Sequence, residues 1–557
     1  MNDPVQAKNL SPRQRQILRL IQEGKVNKEV AEELGIGLGT VKQHIVALFK
    51  KLKVSNRAMA VSRGRELLHP QAEEKRQDLM VDGLLERRPC VILCLSLAEE
   101  TPSPATRMMR GELAEIASEH DAVFVARKGS AAELIFGIQQ VTEYDLACAL
   151  KTAATIHKSL LAFNPAAAAQ LKGVLLAGFA VASMKRFGGW TGEAIVSSAI
   201  AQARDLLTET PTGQMSFSSS IMELLTIFGV SEHHPIRPQM KLCEIHQVQW
   251  SGCRPTSPLV GRGKELTAFR RALTNTLQGQ GAVLPLRGEM GMGKSRLCEE
   301  FAALGLMENG GVEFFRALPA SLGGGLYDLR RLEYVTVEGA VKKITTETAV
   351  KPVLVLIDDF HLLKDGDRED MLSALIEAEK QGKLVIPAGR RLPTQQEWGF
   401  HEIGEMRLRR LSNRGTELLV RQALGEQAKE RGGGKLVRDI SETASGVPLF
   451  AVTLAQQGEA RQSSLPLPLQ VVINARLHSL RLDRLLLQRI AQRDGGQFLD
   501  DLVPEMKEER EQLNRRLQNM VERGILLGEG EKEGFVFTHP LLRRAILSSR
   551  VDQYGNS

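Results

Sequence analysis

Apolar residues recur along this chain in two rhythms, helical and strand-like, and the switches between them divide it into segments. Over residues 10–68 the period is helical and predicts four short helices. Ser11 is placed to cap the first, with Pro12 at its opening position and Ile17, Leu18, Leu20 and Ile21 as its apolar stripe. Asn27 caps a second, residues 28–34, which Gly35 ends in the left-handed region. After a tight turn, residues 40–52 form a third, with Val41, Ile45, Leu48, Phe49 and Leu52 facing inward. Between 87 and 250 the two rhythms alternate. Strands are expected at 91–97, 122–126, 133–137 and 174–181, and helices at 108–120, 142–163 and 192–207. Further on, apolar runs at 282–286, 353–357 and 384–388 read as buried parallel strands, with a helix at 296–306. Pro285 is out of place in such a strand because it lacks a ladder donor. Amphipathic helices at 483–493 and 513–523, then a short hairpin over 524–537, close the pattern.

Composition narrows the class. The 43% hydrophobic and 25% charged fractions are those of an ordinary globular protein, and 557 residues leave room for roughly three to five domains. No apolar run approaches the roughly 20 residues of a membrane span, and no signal-peptide core opens the chain. The six cysteines are scattered without paired spacing, which points to buried thiols rather than a metal or disulfide role. Charge changes the picture more. Residues 8–69 carry 13 Lys/Arg against 5 Asp/Glu, so this segment supplies +8 of a net +7 and the remainder sums to −1. A basic module on a near-neutral body points to nucleic acid.

The most specific chemistry lies at Gly288-Glu-Met-Gly291-Met-Gly293-Lys294-Ser295, between a predicted strand and a predicted helix. A glycine, four residues, then Gly-Lys-Ser is the phosphate-loop spacing. Its amides would turn inward around phosphate oxygens at a helix N-terminus. Lys294 would reach the β- and γ-phosphates, the Ser295 hydroxyl would ligate Mg²⁺, and Arg296 belongs to the same expected nucleotide contact. A glycine-rich turn before a helix is the plain alternative.

In the basic module, helix, glycine turn, helix is the geometry that presents a recognition helix to the major groove. Thr40, Val41, Lys42, Gln43 and His44 form the segment expected at the DNA, the last three facing base edges; Lys28, Lys50 and Lys51 suit phosphates. The stretches "LSPRQRQILRLIQEG", "NKEVAEELGIGLGTVKQHI" and "KKLKVSNRAMAV" closely resemble the LuxR/FixJ-type helix-turn-helix. That resemblance implies sequence-selective DNA binding, normally as a dimer.

The segment 87–250 resembles a class III nucleotidyl cyclase domain, of α+β ferredoxin-like fold, through "CVILCLSL", "ARKGSAAELIFG", "GFAVASMKRFGGWTGEAIV" and "PTGQMSF". Active cyclases place two aspartates on adjacent strands to hold two metal ions. Ser96 and Ser130 stand at the matching positions, and Val196 and Ile200 where a helix would carry the transition-state asparagine and arginine. The resemblance therefore implies a catalytically dead domain used for sensing or dimerisation, with a purely structural spacer as the alternative.

"LVGR" before a helix ending near Leu277 resembles the entry of AAA-type and STAND ATPases. The run ending in Asp358-Asp359 follows the phosphate loop by about sixty residues. Asp358 would hold Mg²⁺ through water and Asp359 would polarise the attacking water. Arg390, at the end of the next apolar run, would contact the γ-phosphate, with a surface cation at a strand end as the alternative. The STAND resemblance further implies that Pro448, in Ser-Gly-Val-Pro, packs near the nucleotide and that His539 touches the β-phosphate of ADP in a closed state.

The expectation is a multidomain chain: an all-α helix-turn-helix at 1–69, a linker at 70–86 and a degenerate α+β ferredoxin-like cyclase-like domain at 87–250. An α/β P-loop ATPase core at 256–410 follows, then a helical domain at 411–464 and a winged helix at 465–557. The expected function is an ATP-dependent cytoplasmic transcription regulator whose ATP/ADP state, with Mg²⁺, controls self-association on double-stranded DNA. RNA polymerase and a signal ligand or protein are further expected partners. A signalling cyclase and a scaffold with structural ATP are the alternatives.

Overall fold

The computed structural model describes residues 12–52, 84–98, 103–224, 242–244 and 259–551, apart from internal stretches of ten residues or fewer. The lead-in at 1–9, Ser11, Gly35, the fourth predicted helix, the linker up to residue 83, the linker at 253–257 and the side chains of Lys28 and Lys50 lie outside the described residues. No helix among the described residues is long and apolar enough to cross a membrane.

Three helices open the fold: α1 (Pro12–Gln22), α2 (Asn27–Leu34) and α3 (Leu38–Leu52). They close around Ile17, Leu18, Ile21, Val41 and Leu48, which the helical period predicts as inward, together with Val30. The Arg13 guanidinium donates to the Leu34 carbonyl at 2.6 Å and ties α1 to the C-terminal end of α2.

A mixed sheet follows, built from β1 (Leu84–Leu97), α4 (Pro104–Glu119), β2 (Val123–Ala126), β3 (Ala132–Phe136), α5 (Asp145–Phe163), α6 (Pro165–Ala169), β4 (Leu171–Met184), α7 (Ser198–Glu209), β5 (Gln214–Phe217) and β6 (Leu242–Glu244). Strand order is β2-β3-β1-β4-β5-β6, and only β4 and β5 run parallel. α4 and α5 cover one face through Met109, Leu113, Leu150 and Ile156, and α7 covers the other through Ile200, Ala203 and Leu207. The first-sheet helix expected at 108–120 runs over Pro104–Glu119 and the strand expected at 174–181 over Leu171–Met184; three further boundaries differ for a local reason. β1 starts inside the expected linker because Glu86 and Arg88 are buried among partners rather than solvated. α5 starts at Asp145, not 142, because Thr142 donates to the Asp145 carboxylate and turns the chain before the helix. α7 starts at Ser198, not 192: the Ser197 hydroxyl caps it by accepting from the Ala199 and Ile200 amides. Val196 therefore stands on no helix; it bridges to Val181 with its side chain exposed.

The larger sheet is assembled from α8 (Gly263–Leu277), β7 (Ala282–Val283), β8 (Leu286–Arg287), α9 (Lys294–Met307), β9 (Gly311–Ala317), β10 (Leu326–Asp328), β11 (Glu333–Val335), α10 (Val337–Thr345), β12 (Pro352–Asp358), α11 (Asp365–Lys380), β13 (Leu384–Gly389) and β14 (Met406–Arg407). Its order is β11-β10-β9-β12-β13-β8-β14, with β7 also on β13, and every pairing from β9 to β14 is parallel. Pro285 divides one expected strand into β7 and β8, as a missing ladder donor requires.

The chain then runs through α12 (Asn413–Leu424), α13 (Gly433–Ala444), α14 (Pro448–Gln456), α15 (Leu467–Ser479), α16 (Arg484–Gln492), β15 (Gln497–Phe498), α17 (Leu499–Met506), α18 (Arg510–Glu522), β16 (Leu526–Glu529), β17 (Gly534–Phe537) and α19 (Pro540–Ser549). The three strands form an antiparallel sheet, β15-β17-β16. One apolar core runs from the parallel sheet through all these helices.

The first sheet is welded to this body. Leu318, Leu322, Tyr327, Leu467 and Val471 enter its core. At its edge Glu86 accepts from Arg484 at 2.5 Å and pairs with Arg88 at 3.4 Å, while Arg88 reaches His478 Nδ1 at 2.9 Å. His478 Nδ1 also accepts from the Val141 amide at 2.9 Å. Taking these charges out of water is costly unless each keeps its partner.

That network gives a pH dependence. Burial first, then the neighbouring Arg88 and Arg484, hold His478 far below the ordinary histidine value. A folded-state value below the unfolded one gives stability that is present above about pH 6.5 and lost as acid is added. Lowering the pH from 7 to 5 should cost up to about 2 kcal/mol at this residue. Calorimetric melts of the whole chain should show that loss shrinking in His478→Gln, whose amide oxygen still accepts but does not titrate.

Candidate nucleotide site and DNA-facing helix

β8 delivers the chain into the turn at Gly288, and α9 takes it out at Lys294. Gly291 and Gly293 hold φ of 76° and 89°, the left-handed region that favours glycine. A Cβ on Gly291 would stand 3.1 Å from Leu449 and Val447, because α14 presses on the turn and Leu449 donates its amide to the Gly291 carbonyl at 3.1 Å. Lys294 is 7% exposed, and its ammonium donates to the Gly288 and Glu289 carbonyls at 2.8 and 3.1 Å. Burial lowers its pKa; Asp359 opposes that most among its neighbours, and Arg390 adds to it. Ser295 sits half-buried behind Lys294. Arg296 turns along the helix to Glu300 at 2.9 Å.

The C-terminal ends of the parallel strands gather the remaining groups, as such sheets do. Asp358, fully buried at the end of β12, accepts from the Asp359 amide at 3.0 Å and from Arg316 of β9 at 3.2 Å. Asp359 adopts φ 54°, a conformation that costs a non-glycine residue on the order of 1 kcal/mol. Its carboxylate accepts from the Tyr144 hydroxyl at 3.1 Å. Arg390 follows β13 and donates to Glu143 at 2.5 Å. His361 lies in the same field; burial lowers its pKa first, and Arg390 and Lys294 push the same way.

Pro448 opens α14 directly beside the turn. His539 is buried and serves as the cap of α19: Nδ1 accepts from the Leu541 amide at 3.1 Å and Nε2 meets the Ala444 carbonyl at 3.1 Å. Its ring stands edge-on to Phe450, and burial brings its pKa down to about 4. With both nitrogens occupied, a phosphate contact from His539 would require Nε2 to leave Ala444. Two cations not expected from the sequence complete the surround. Arg476 pairs with Glu289 of the turn at 3.4 Å, and Arg410 reaches the Thr538 carbonyl at 3.3 Å.

The donor set fits a polyphosphate. A nearly buried ammonium held by two carbonyls, left-handed glycines at a helix start, and Arg390, Arg410 and Arg476 nearby make a basin of positive charge. The Ser295 and Asp358 oxygens are donors of the hard kind Mg²⁺ takes, although a metal would share Asp358 with Arg316.

On α3, Thr40, Lys42, Gln43 and Lys51 are exposed and His44 is half-buried. Val41 is a correction: it is fully buried between the helices, since its position in the helical period faces the core, and it reaches no base. Lys51 donates to Gln14 at 3.0 Å. Lys42 forms an ion pair with Glu115 of α4, so this conformation turns part of the recognition face toward the first sheet.

In that sheet Ser96 and Ser130, distant in sequence, meet with hydroxyls 2.8 Å apart and buried. Among the described residues no group of His, Cys, Asp or Glu is placed to hold a metal ion in their stead. A separate open cavity of about 270 Å³ lies between β2, β3 and the start of α7, with Trp190, Arg127 and Arg204 at its wall; both arginines are paired with Glu133.

Of the residues read as one site, Lys294, Asp358, Asp359 and Arg390 come together, and Arg296 does not. Glu143, Tyr144, Arg316, His361, Arg410 and Arg476 went unread. His361 alone left a trace, two residues past the paired acids; the others lie too far along the chain for any motif to hold them.

Residues 8–63 match the family model described as bacterial regulatory proteins, luxR family. The transcriptional regulatory protein DesR of Bacillus subtilis is 41% identical over 61 residues, which are 11% of this chain and 31% of that protein. YhjB of Escherichia coli, a putative HTH-type transcriptional regulator, is 47% identical over 53 residues, 10% of this chain and 26% of its own. The chain thus spans less than a third of the length of these curated relatives. Among solved structures, a RuvB variant of Thermotoga maritima overlays 51% of this chain and 95% of its own, at 18% identity and a TM-score of 0.31. The N-terminal segment, residues 8–63, is a luxR-type helix-turn-helix.

Proposed function

We propose that this chain is a STAND-type, ATP-dependent transcription regulator in which the nucleotide state of the 256–410 unit controls self-association and so the presentation of the 1–69 DNA reader. The observation that carries the reading is the buried Lys294 ammonium, ringed by Asp359, Asp358 and Arg390, in the same chain as a luxR-type reader. Lys294 and the turn amides would bind the phosphates, Ser295 and Asp358 would hold Mg²⁺, Asp359 would orient water, and Arg390 would meet the terminal phosphate. Bound Mg²⁺ neutralises phosphate charge and aligns the chain of oxygens. Self-association raises effective DNA affinity by linking several readers.

We further read residues 87–250 as a cyclase-like unit without cyclase chemistry, on the serine pair at 96 and 130, and 411–464 and 465–557 as the helical and winged-helix units that close on the nucleotide. A second reading, bound ATP without turnover, is favoured by one observation: Asp359 and Arg390 are both occupied by residues of the first sheet.

Lys294→Ala should weaken adenine-nucleotide binding at least tenfold, as removal of the main phosphate cation implies, measured by equilibrium titration. With it, the ATP-dependent change in sedimentation should vanish. Equal assembly and DNA affinity with ATP, with ADP and in the variant would reject the switch. Lys42→Ala should weaken operator binding by about 1–3 kcal/mol if it reads a base, with the loss concentrated at one operator position; gel shifts on single-base operator variants distinguish this from a uniform loss at a phosphate contact.

A further inference from the structure

We infer that the segment between β3 and α5, residues 137–144, is a displaceable plug on the nucleotide site, with the Glu143 carboxylate standing where a terminal phosphate would meet Arg390. This rests on the ATP-binding reading and deepens it by naming the element that tells ATP from ADP.

Two contacts carry the inference, and no local constraint explains either. Glu143 and Arg390 are 247 residues apart in the chain and meet at 2.5 Å. Tyr144 and Asp359 are 215 residues apart and meet at 3.1 Å. Glu143 also lies within the electrostatic reach of Lys294. One two-residue step of the first sheet thus engages the cation and the acid that flank the phosphate loop.

The segment is held stiffly. Gly137 has φ 91°, and a Cβ there would stand 2.5 Å from the Pro89 carbonyl, so the chain leaves β3 by a route that favours glycine. Arg88 donates to the Gly137 carbonyl at 3.2 Å. The Val141 amide is fastened to His478 at 2.9 Å, and buried Asp145 accepts from the Thr142 amide and hydroxyl at 3.1 and 2.5 Å. A carboxylate presented so rigidly loses little freedom when it pairs.

A carboxylate and a phosphate are competing oxyanions for a guanidinium. ADP leaves the Glu143–Arg390 pair intact. ATP needs Arg390, so its terminal phosphate and Glu143 exclude one another. A ligand shifts a conformational equilibrium only by its differential affinity for the two states. Here the difference resides in one ion pair, and the state ATP favours is the one in which the Glu143–Tyr144 step has left Arg390 and Asp359 while the core of the first sheet stays docked. The same release frees Asp359 from Tyr144. The Glu143 carboxylate is therefore the latch, and the third phosphate displaces it.

The test titrates the full-length chain with fluorescent ADP and with a fluorescent non-hydrolysable ATP analogue, and reads the ratio of the two dissociation constants. Glu143→Gln keeps the shape and removes the charge. It should tighten the ATP analogue about fivefold while moving ADP less than about twofold. Tyr144→Phe should move the ratio in the same direction, and it carries the test if Glu143→Gln does not fold. An unchanged ratio in the folded variants, or an equal change for both nucleotides, overturns the plug. Wild-type chain that binds neither nucleotide overturns the ATP reading and the plug together; wild-type chain that binds both, with an immovable ratio, overturns the plug alone.

Discussion

A single ammonium group held almost out of water organises this molecule. Isolated charges are not buried at acceptable cost, so the surroundings of Lys294 must answer for it. Two carbonyls of the turn accept its protons directly, and Asp359, Asp358 and Glu143 supply negative charge at longer range. Arg390 works against that balance, and burial first, then Arg390 and Arg410, lower Arg476 beside the same turn. The excess of positive charge is what a polyphosphate would complete.

Every layer of the fold contributes one edge of this basin. The parallel strands bring their C-terminal ends to one line, so the turn after β8, the acids after β12 and the arginine after β13 become neighbours. α14 supports the turn from outside through Leu449. The first sheet contributes Glu143 and Tyr144, yet its own pair of buried serines has no charge to offer a metal. What that sheet retains is a loop pressed against Arg390 and Asp359 of the larger sheet.

The welding of the first sheet to the C-terminal helices follows similar rules. Glu86, Arg88, His478 and Arg484 are tolerable inside the protein only as a set, since removing one strands the others. The apolar side chains Leu318, Leu322 and Tyr327 are buried in the same docking. The candidate nucleotide site and the first sheet therefore meet through a contiguous, two-sided contact. The pairing of Lys42 with Glu115 extends that chain of contact to the recognition helix.

Local chemistry was legible from the residues alone. The glycines and Lys294 declared the turn by spacing, the apolar run declared β12 and its acids, and the helical period declared the three-helix core. Period also placed Val41 in that core, even though its neighbours on α3 face outward. Short-range signals failed where a distant partner overrode them. Leu84 to Glu86 look like linker until Arg484 gives Glu86 a buried partner. Val196 looks helical until Val181 takes it as a bridge. The meeting of Glu143 with Arg390 was decided by tertiary structure alone, because residues so far apart interact only after two sheets have folded and docked. Sequence by itself determined the turn, its lysine and the acids at the end of β12; only the packed structure decided that Glu143 and Tyr144 stand against Arg390 and Asp359, because that contact forms only once both sheets have folded.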